Sequence, residues 1–152
     1  MDLALQLSRS FRELGGLLAS RRVLAAMSKT SDRHLTPTKL RALDLLAEGD
    51  AVRVGDLAAR LYVDETTATR LVDRLEQMGV AARVAVESDG RGTEVVLTGK
   101  GERLVAAVSA SRQDFFRDVL AALEPEERSE LVRLLGKAIE AVRERSLEPV
   151  AP

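Results

Sequence analysis

The chain has 152 residues, of which 45% are hydrophobic and 31% charged, and its 23 basic residues nearly balance its 24 acidic ones. This composition is typical of a globular protein, and the length fits a single domain, residues 1–152. The absence of cysteine and the presence of one histidine exclude disulfides, thiolate metal sites, cysteine nucleophiles and multi-histidine metal centres. No apolar run approaches the roughly 20 residues of a membrane span, and no signal-peptide pattern opens the chain. We therefore expect a cytoplasmic protein with no membrane partner.

The N-terminal segment, residues 2–28, is predicted to be one long helix weakened only at Gly15-Gly16. Its apolar residues recur at helical spacing: Leu3, Leu7, Phe11, Leu14, Leu18 and Leu24. A helix of this length spans about 40 Å, which is more than the core of a small domain covers. Part of the apolar stripe is therefore expected to pack on another chain.

The middle of the chain carries the boundary residues of three short helices. Thr36 before Pro37 and Asp64 are typical of N-termini, whereas Gly49 and Gly79 are typical of C-terminal ends. The predicted helices run from Thr36 to Gly49, from Val54 to Leu61 and from Glu65 to Met78. In the turn between the last two, Tyr62 is expected to pack against the fold.

After Gly79 the helical spacing gives way to β-branched residues. Val80–Val86 and Thr93–Leu97 flank a loop with two glycines, which predicts a β-hairpin. Two further helices are predicted over Gly99–Leu123 and from Pro125 to about Arg145, with proline at the first position of the second.

A short helix, a turn, a capped helix and a hairpin in this order are typical of a winged helix-turn-helix. The predicted fold class is therefore mainly α with a small β-hairpin. A winged helix-turn-helix lobe, residues 36–98, would lie between long dimerisation helices, residues 2–28 and 99–145.

The predicted helix 65–78 separates its residues into an apolar and a polar face. The apolar face, expected to be buried, holds Ala68, Leu71, Val72, Leu75 and Met78. The residues opposite are Thr66, Arg70, Asp73 and Gln77, with Thr67 and Arg74 flanking them on one side and Thr69 on the other. Arginine can bond guanine in a bidentate manner, and threonine can contact a base edge or a thymine methyl. Any solvated amphipathic helix explains this face equally well, but the helix before it and the hairpin after it favour DNA reading.

The hairpin loop places Arg91 between two glycines. An arginine on such a small loop can enter the minor groove, and Asp89 can hold its guanidinium through a charge-assisted bond. A turn with one exposed charge explains the same sequence at least as well. Arg53 and Lys39 are further basic residues of a local patch that would meet phosphates.

The chain resembles the MarR family of bacterial transcriptional regulators. The matching stretches are LTPTKLRALDLL (35–46), VGDLAARL (54–61), DETTATRLVDRLEQMGV (64–80), Arg83 and DGRGTEVVLTGKG (89–101). The resemblance implies a homodimer built by the terminal helices, with one winged helix-turn-helix per subunit and a recognition helix over Glu65–Met78.

The same resemblance implies double-stranded DNA as the partner. It turns Thr66, Thr67, Thr69 and Arg70 toward the major groove and brings Arg74 to a phosphate or a base. Asp89 and Arg91 match the wing residues of the family. It also implies control by a small phenolic or other aromatic ligand, although no residue of this sequence identifies an effector site.

The distribution of charge excludes a broadly basic surface on the predicted lobe, since residues 35–98 contain eight basic and eleven acidic residues. Phosphate attraction supplies most non-specific DNA affinity, so any binding must come from a few placed arginines. Two functions stay open: a ligand-responsive, sequence-specific repressor acting as a homodimer on a pseudo-palindromic operator, and a winged-helix protein-interaction module that no longer binds DNA. No enzyme, cofactor or metal is expected, because neither a phosphate-binding glycine loop nor a convincing catalytic set is present.

Overall fold

The computed structural model describes residues 2–29, 35–49, 51–85 and 93–147, and the chain divides into two compact units, residues 1–113 and 114–152. The fold is mainly α with a small antiparallel sheet, as predicted. Its elements are α1 (Leu3–Ala19), α2 (Arg21–Ser28), α3 (Pro37–Ala47), β1 (Val52–Arg53), α4 (Val54–Leu61), α5 (Glu65–Gln77), β2 (Ala81–Ala85), β3 (Thr93–Leu97), α6 (Gly99–Ala121) and α7 (Pro125–Leu147). None of the helices in these ranges is long and apolar enough to cross a bilayer.

The N-terminal segment forms two helices, so the prediction of one helix over residues 2–28 was wrong. The chain leaves the helical conformation at Ser20, whose ψ is 143°. The Ser20 hydroxyl donates to the carbonyl of Leu17 at 2.7 Å and accepts the N–H of Val23 at 3.3 Å. Serine is a strong N-cap, whereas Gly15-Gly16 costs a helix only about 1 kcal/mol per residue and stays helical. The break therefore falls at the capping serine.

One apolar core joins α3, α4 and α5 to the sheet. Its largest fully buried side chains are Leu43, Leu57, Val72, Leu75, Val80 and Val95. The caps follow the predicted chemistry, because the Thr36 hydroxyl accepts the N–H of Lys39 at 3.3 Å and Gly79 takes a positive φ of 72° after α5. The core thus fixes the orientation of α5 within the lobe.

The sheet has the strand order β1-β3-β2, and the hairpin predicted from the β-branched residues is formed by β2 and β3. The sequence did not predict β1, which pairs Val52 with Val95 and Arg53 with Glu94. Two residues are too few to show an alternating pattern, so this strand exists through its non-local pairing with β3.

Tyr62 does not pack in the turn, and that prediction was wrong. Its backbone is left-handed, with a φ of 57°, and its N–H caps α4 by donating to the carbonyl of Ala59 at 3.2 Å. The ring is 69% exposed and lies 5.8 Å from the guanidinium carbon of Arg41, within the range of a cation–π contact.

α6 begins directly against the C-terminal end of α5. The Lys100 ammonium donates to the carbonyl of Met78, and the Thr98 hydroxyl donates to that of Gly79, both at 2.7 Å. The Thr98 N–H donates to the carbonyl of Val80 at 3.1 Å. These bonds satisfy carbonyls that a helix end leaves without partners and tie α5 to the start of α6.

The first helix, α1, and the last, α7, both carry exposed apolar residues. α1 has no buried residue, and Leu3 is 78% exposed. Along residues 125–145 of α7 every residue is at least partly exposed. The large apolar side chains left open there are Leu131, Val132, Leu134, Leu135, Ile139 and Val142.

Candidate nucleic-acid interface

The buried and exposed faces of α5 are those that its spacing predicts. Ala68, Leu71, Val72 and Leu75 are buried, and Met78 is partly buried against the core. The polar residues on the other side are therefore fixed outward by packing on the inner side, which is the arrangement a base-reading helix needs.

Asp64 caps this helix. Its carboxylate accepts the N–H of Thr67 at 2.8 Å and the Thr67 hydroxyl at 2.6 Å. The hydroxyl bond, followed by the backbone bond, holds the pKa of the Asp64 carboxyl below its ordinary value. The cap thus stays ionised and keeps the first turn of α5 in place.

The three threonines of the predicted reading face are exposed but differ in their hydrogen bonding. The Thr67 hydroxyl donates to Asp64, and the Thr69 hydroxyl donates to the carbonyl of Glu65 at 2.8 Å. Both can still offer a methyl group and an acceptor. The Thr66 hydroxyl makes no hydrogen bond to any described residue, so it can both donate to a base edge and accept from one.

The two arginines of α5 are exposed as predicted. Arg74 donates to the Gln77 amide oxygen at 3.0 Å. Arg70 forms neither an ion pair nor a side-chain hydrogen bond within the parts of the chain that the structure describes. Its five N–H donors are therefore available to an outside partner.

The remaining predicted site residues are less closely gathered. Arg53 precedes α4, with its Nε 3.8 Å from a carboxylate oxygen of Glu94. It lines an open cleft of about 510 Å³ together with Glu65, Thr69 and Arg83. Lys39 stands in the first turn of α3 and does not line this cleft. Asp89 and Arg91 lie outside the described residues.

An ion-pair cluster that the sequence did not predict joins α5 to β2 beside the reading face. The Arg83 guanidinium of β2 contacts Asp73 at 2.7 Å and pairs with Glu76, whose other oxygen accepts the Arg83 N–H at 2.9 Å. The sequence signal that could have revealed it is two carboxylates three residues apart on a helix, followed by an arginine in an otherwise apolar strand. In the described ranges, no group of histidine, aspartate and glutamate side chains could hold a metal ion.

Comparison with known proteins identifies the family. A family model described as the MarR family matches residues 35–93. The transcriptional regulator PecS of Dickeya dadantii is 30% identical over 124 residues, which cover 76% of this chain and 75% of PecS. The chain belongs to the MarR family. It is a DNA-binding transcriptional regulator of the MarR type and not an enzyme.

Solved structures agree with this assignment. A MarR family protein from Bacillus stearothermophilus is 29% identical, with a TM-score of 0.78 over 94% of this chain and 99% of that one. FabT of Streptococcus pneumoniae, solved in complex with DNA, is 15% identical with a TM-score of 0.81 over 93% of this chain and 98% of its own. At that identity FabT supports the fold alone, and the winged helix-turn-helix prediction is confirmed.

Proposed function

We propose that this regulator reads a pseudo-palindromic operator as a homodimer, with the outward face of α5 in the major groove. The observation that carries the proposal is the state of the Arg70 side chain. It is exposed opposite a buried face and has no ion pair among the described residues. A guanidinium in this state can bond guanine O6 and N7 together. Thr66 lies one turn earlier and can contact the neighbouring base.

Phosphate contacts would position the helix. We assign these to Arg74, Arg53 and Lys39, whereas Thr67 and Thr69 would offer a methyl group and an acceptor to base edges in the major groove. Arg91 would enter the flanking minor groove, with Asp89 orienting its guanidinium. Because the lobe contains more acidic than basic residues, non-specific affinity should be weak. If a dimer neutralises about eight phosphates, log K against log salt should have a slope of roughly −7.

The exposed apolar residues of α1 and α7 support the homodimer. Monomeric proteins rarely expose large contiguous apolar surface, and a second copy would cover it. Two-fold symmetry then places two recognition helices in successive major grooves about 34 Å apart, which calls for an inverted-repeat site. A dimer on such a site within a promoter blocks transcription by occupying it, so we propose repression in the bacterial cytoplasm.

A small aromatic effector is supported by a second cleft of about 450 Å³, which fits a ligand of that size. Leu46, Leu97, Val105 and Ala106 supply an apolar wall, and Glu102 stands at its edge. The carboxylate disfavours anionic ligands, so an uncharged phenol should weaken operator binding more than benzoate does. Equal effects of the two compounds would contradict this assignment.

The proposed DNA reading is tested by selecting bound duplexes from a random pool and measuring the affinity of Arg70→Ala for the recovered site. Loss of a bidentate contact should cost about 1–3 kcal/mol and relax the preference at one base position. Arg60→Ala is the matched control. This substitution removes the same positive charge from the lobe, but Arg60 pairs with Glu48 and is not assigned to DNA. A wild-type protein that selects no sequence would contradict the proposal and favour the alternative, a protein-interaction module that no longer binds DNA.

A further inference from the structure

The charges of α5 create a difficulty for a helix that must approach DNA. Its thirteen residues contain the carboxylates Glu65, Asp73 and Glu76 and only two arginines, Arg70 and Arg74. Asp73 follows Arg70 by three residues, a spacing at which side chains of a helix meet. An ion pair between them would occupy the guanidinium that the proposed function needs.

Arginine–carboxylate pairs at this spacing form readily elsewhere in the chain, with the carboxylate first. They close between Asp114 and Arg117 at 2.7 Å and between Glu130 and Arg133 at 2.6 Å. In α5 the order is reversed, with Arg70 before Asp73. No Arg70–Asp73 pair is present there, and Asp73 is bonded to a different partner.

That partner is Arg83, which reaches α5 from β2. Its guanidinium contacts Asp73 at 2.7 Å and pairs with Glu76, and its side chain is only 30% exposed. Glu76 also accepts the backbone N–H of Arg83 at 2.9 Å. One arginine thus neutralises two of the three carboxylates of α5 and is itself held by both.

We propose that Arg83 is a positioning residue for DNA reading: it holds Asp73 and Glu76 away from Arg70 and leaves the Arg70 guanidinium available to a base. The inference rests on the proposed function, because Arg70 matters only if α5 reads DNA. Two other roles for Arg83 compete with this one. Arg83 could contact a DNA phosphate directly, or it could only link α5 to the sheet.

Three variants separate these roles: Arg83→Gln, the triple variant that adds Asp73→Asn and Glu76→Gln to it, and Arg60→Gln as the control. Circular dichroism melts show which of them fold, and Arg83→Lys retains the charge if Arg83→Gln unfolds. Anisotropy of a labelled selected duplex over a salt series then gives affinity and salt slope.

We expect Arg83→Gln to lose roughly tenfold or more in affinity for the selected site, within the range of a bidentate base contact. Its salt slope should equal that of the wild type, because no phosphate contact is removed. The triple variant should recover to within about threefold of the wild type, since no carboxylate is left to capture Arg70. Arg60→Gln should stay within about twofold.

Three results would overturn the proposal. Arg83→Gln could bind as the wild type does, the folded triple variant could remain as weak as Arg83→Gln, or the salt slope could fall in magnitude by about one, which marks a phosphate contact.

A readout without DNA keeps this test separate from that of the proposed function. The Nε–H resonance of Arg70 in ¹⁵N NMR should shift in Arg83→Gln and return in the triple variant, and an unchanged resonance would refute the Arg83 role whether or not the protein selects DNA.

Discussion

Among the glycines that the structure describes, Gly101 makes the tightest approach to neighbouring backbone, and Gly101→Ala is therefore expected to destabilise the fold. A Cβ at this position would overlap the carbonyl oxygen of Val80, and would lie 3.0 Å from its carbonyl carbon and 3.1 Å from Leu97 Cδ2. Carbon atoms in contact prefer about 3.5–4.0 Å, so backbone must move. Val80 is 1% exposed and cannot give way into solvent.

The expected cost has two parts. Overpacking a closed site costs about 1–3 kcal/mol. Moving the Val80 carbonyl also weakens the 3.1 Å bond that it accepts from the Thr98 N–H, which is worth about 1 kcal/mol. We therefore expect Gly101→Ala to lower the free energy of unfolding by about 2–4 kcal/mol. Because Val80 follows the C-terminal end of α5, operator affinity should fall as well.

Urea melts at one fixed protein concentration measure this loss, since the proposed dimer would make stability depend on concentration. Gly99→Ala is the matched control in the same helix, because its Cβ would meet only the flexible end of Arg103, at 3.5 Å. If Gly101→Ala were within about 0.5 kcal/mol of the control, the close approach of α6 to Val80 would not constrain the fold as argued.

Two further predictions concern the cap of α5 and the dimer. The pKa of Asp64 is lowered in the folded state, so the charged cap stabilises the fold above the ordinary value of 3.8, and this contribution is lost as the pH falls through the lower folded value. The stability difference between the wild type and Asp64→Asn in urea melts should therefore shrink below pH 3.8, and a constant difference down to pH 2 would contradict it. Leu135→Glu places a charge on the exposed apolar face of α7 and should give a monomeric mass by light scattering, whereas Lys137→Glu should remain dimeric; a dimeric Leu135→Glu would exclude this face from the interface.

Features that depend on neighbours in the chain were predictable from the sequence. The buried face of α5 follows from the spacing of residues such as Leu71 and Leu75, because a helix repeats every 3.6 residues. The helix boundaries at Thr36 and Asp64 follow from side chains that bond the first backbone N–H groups. Gly79 was predictable as a helix end because its positive φ suits glycine.

Features that depend on distant residues were not predictable. β1 requires the pairing of Val52 with Val95, which no local pattern encodes. Likewise, the role of Arg83 depends on Asp73, ten residues earlier on another element. The helix break at Ser20 is a local feature, yet it was also missed. The Ser20 side chain caps a helix within a stretch whose apolar spacing indicates no interruption.

The measurement that tests the central proposal most directly compares the duplexes selected from one random pool by the wild type and by Arg70→Ala. For the wild type we expect an inverted repeat, with half-site centres about 10 base pairs apart. Arg70→Ala should recover the same repeat with one base position relaxed in each half-site, symmetrically about the centre. Identical sites from the two proteins would contradict base reading by Arg70. A wild-type site without two-fold symmetry would contradict binding as a homodimer.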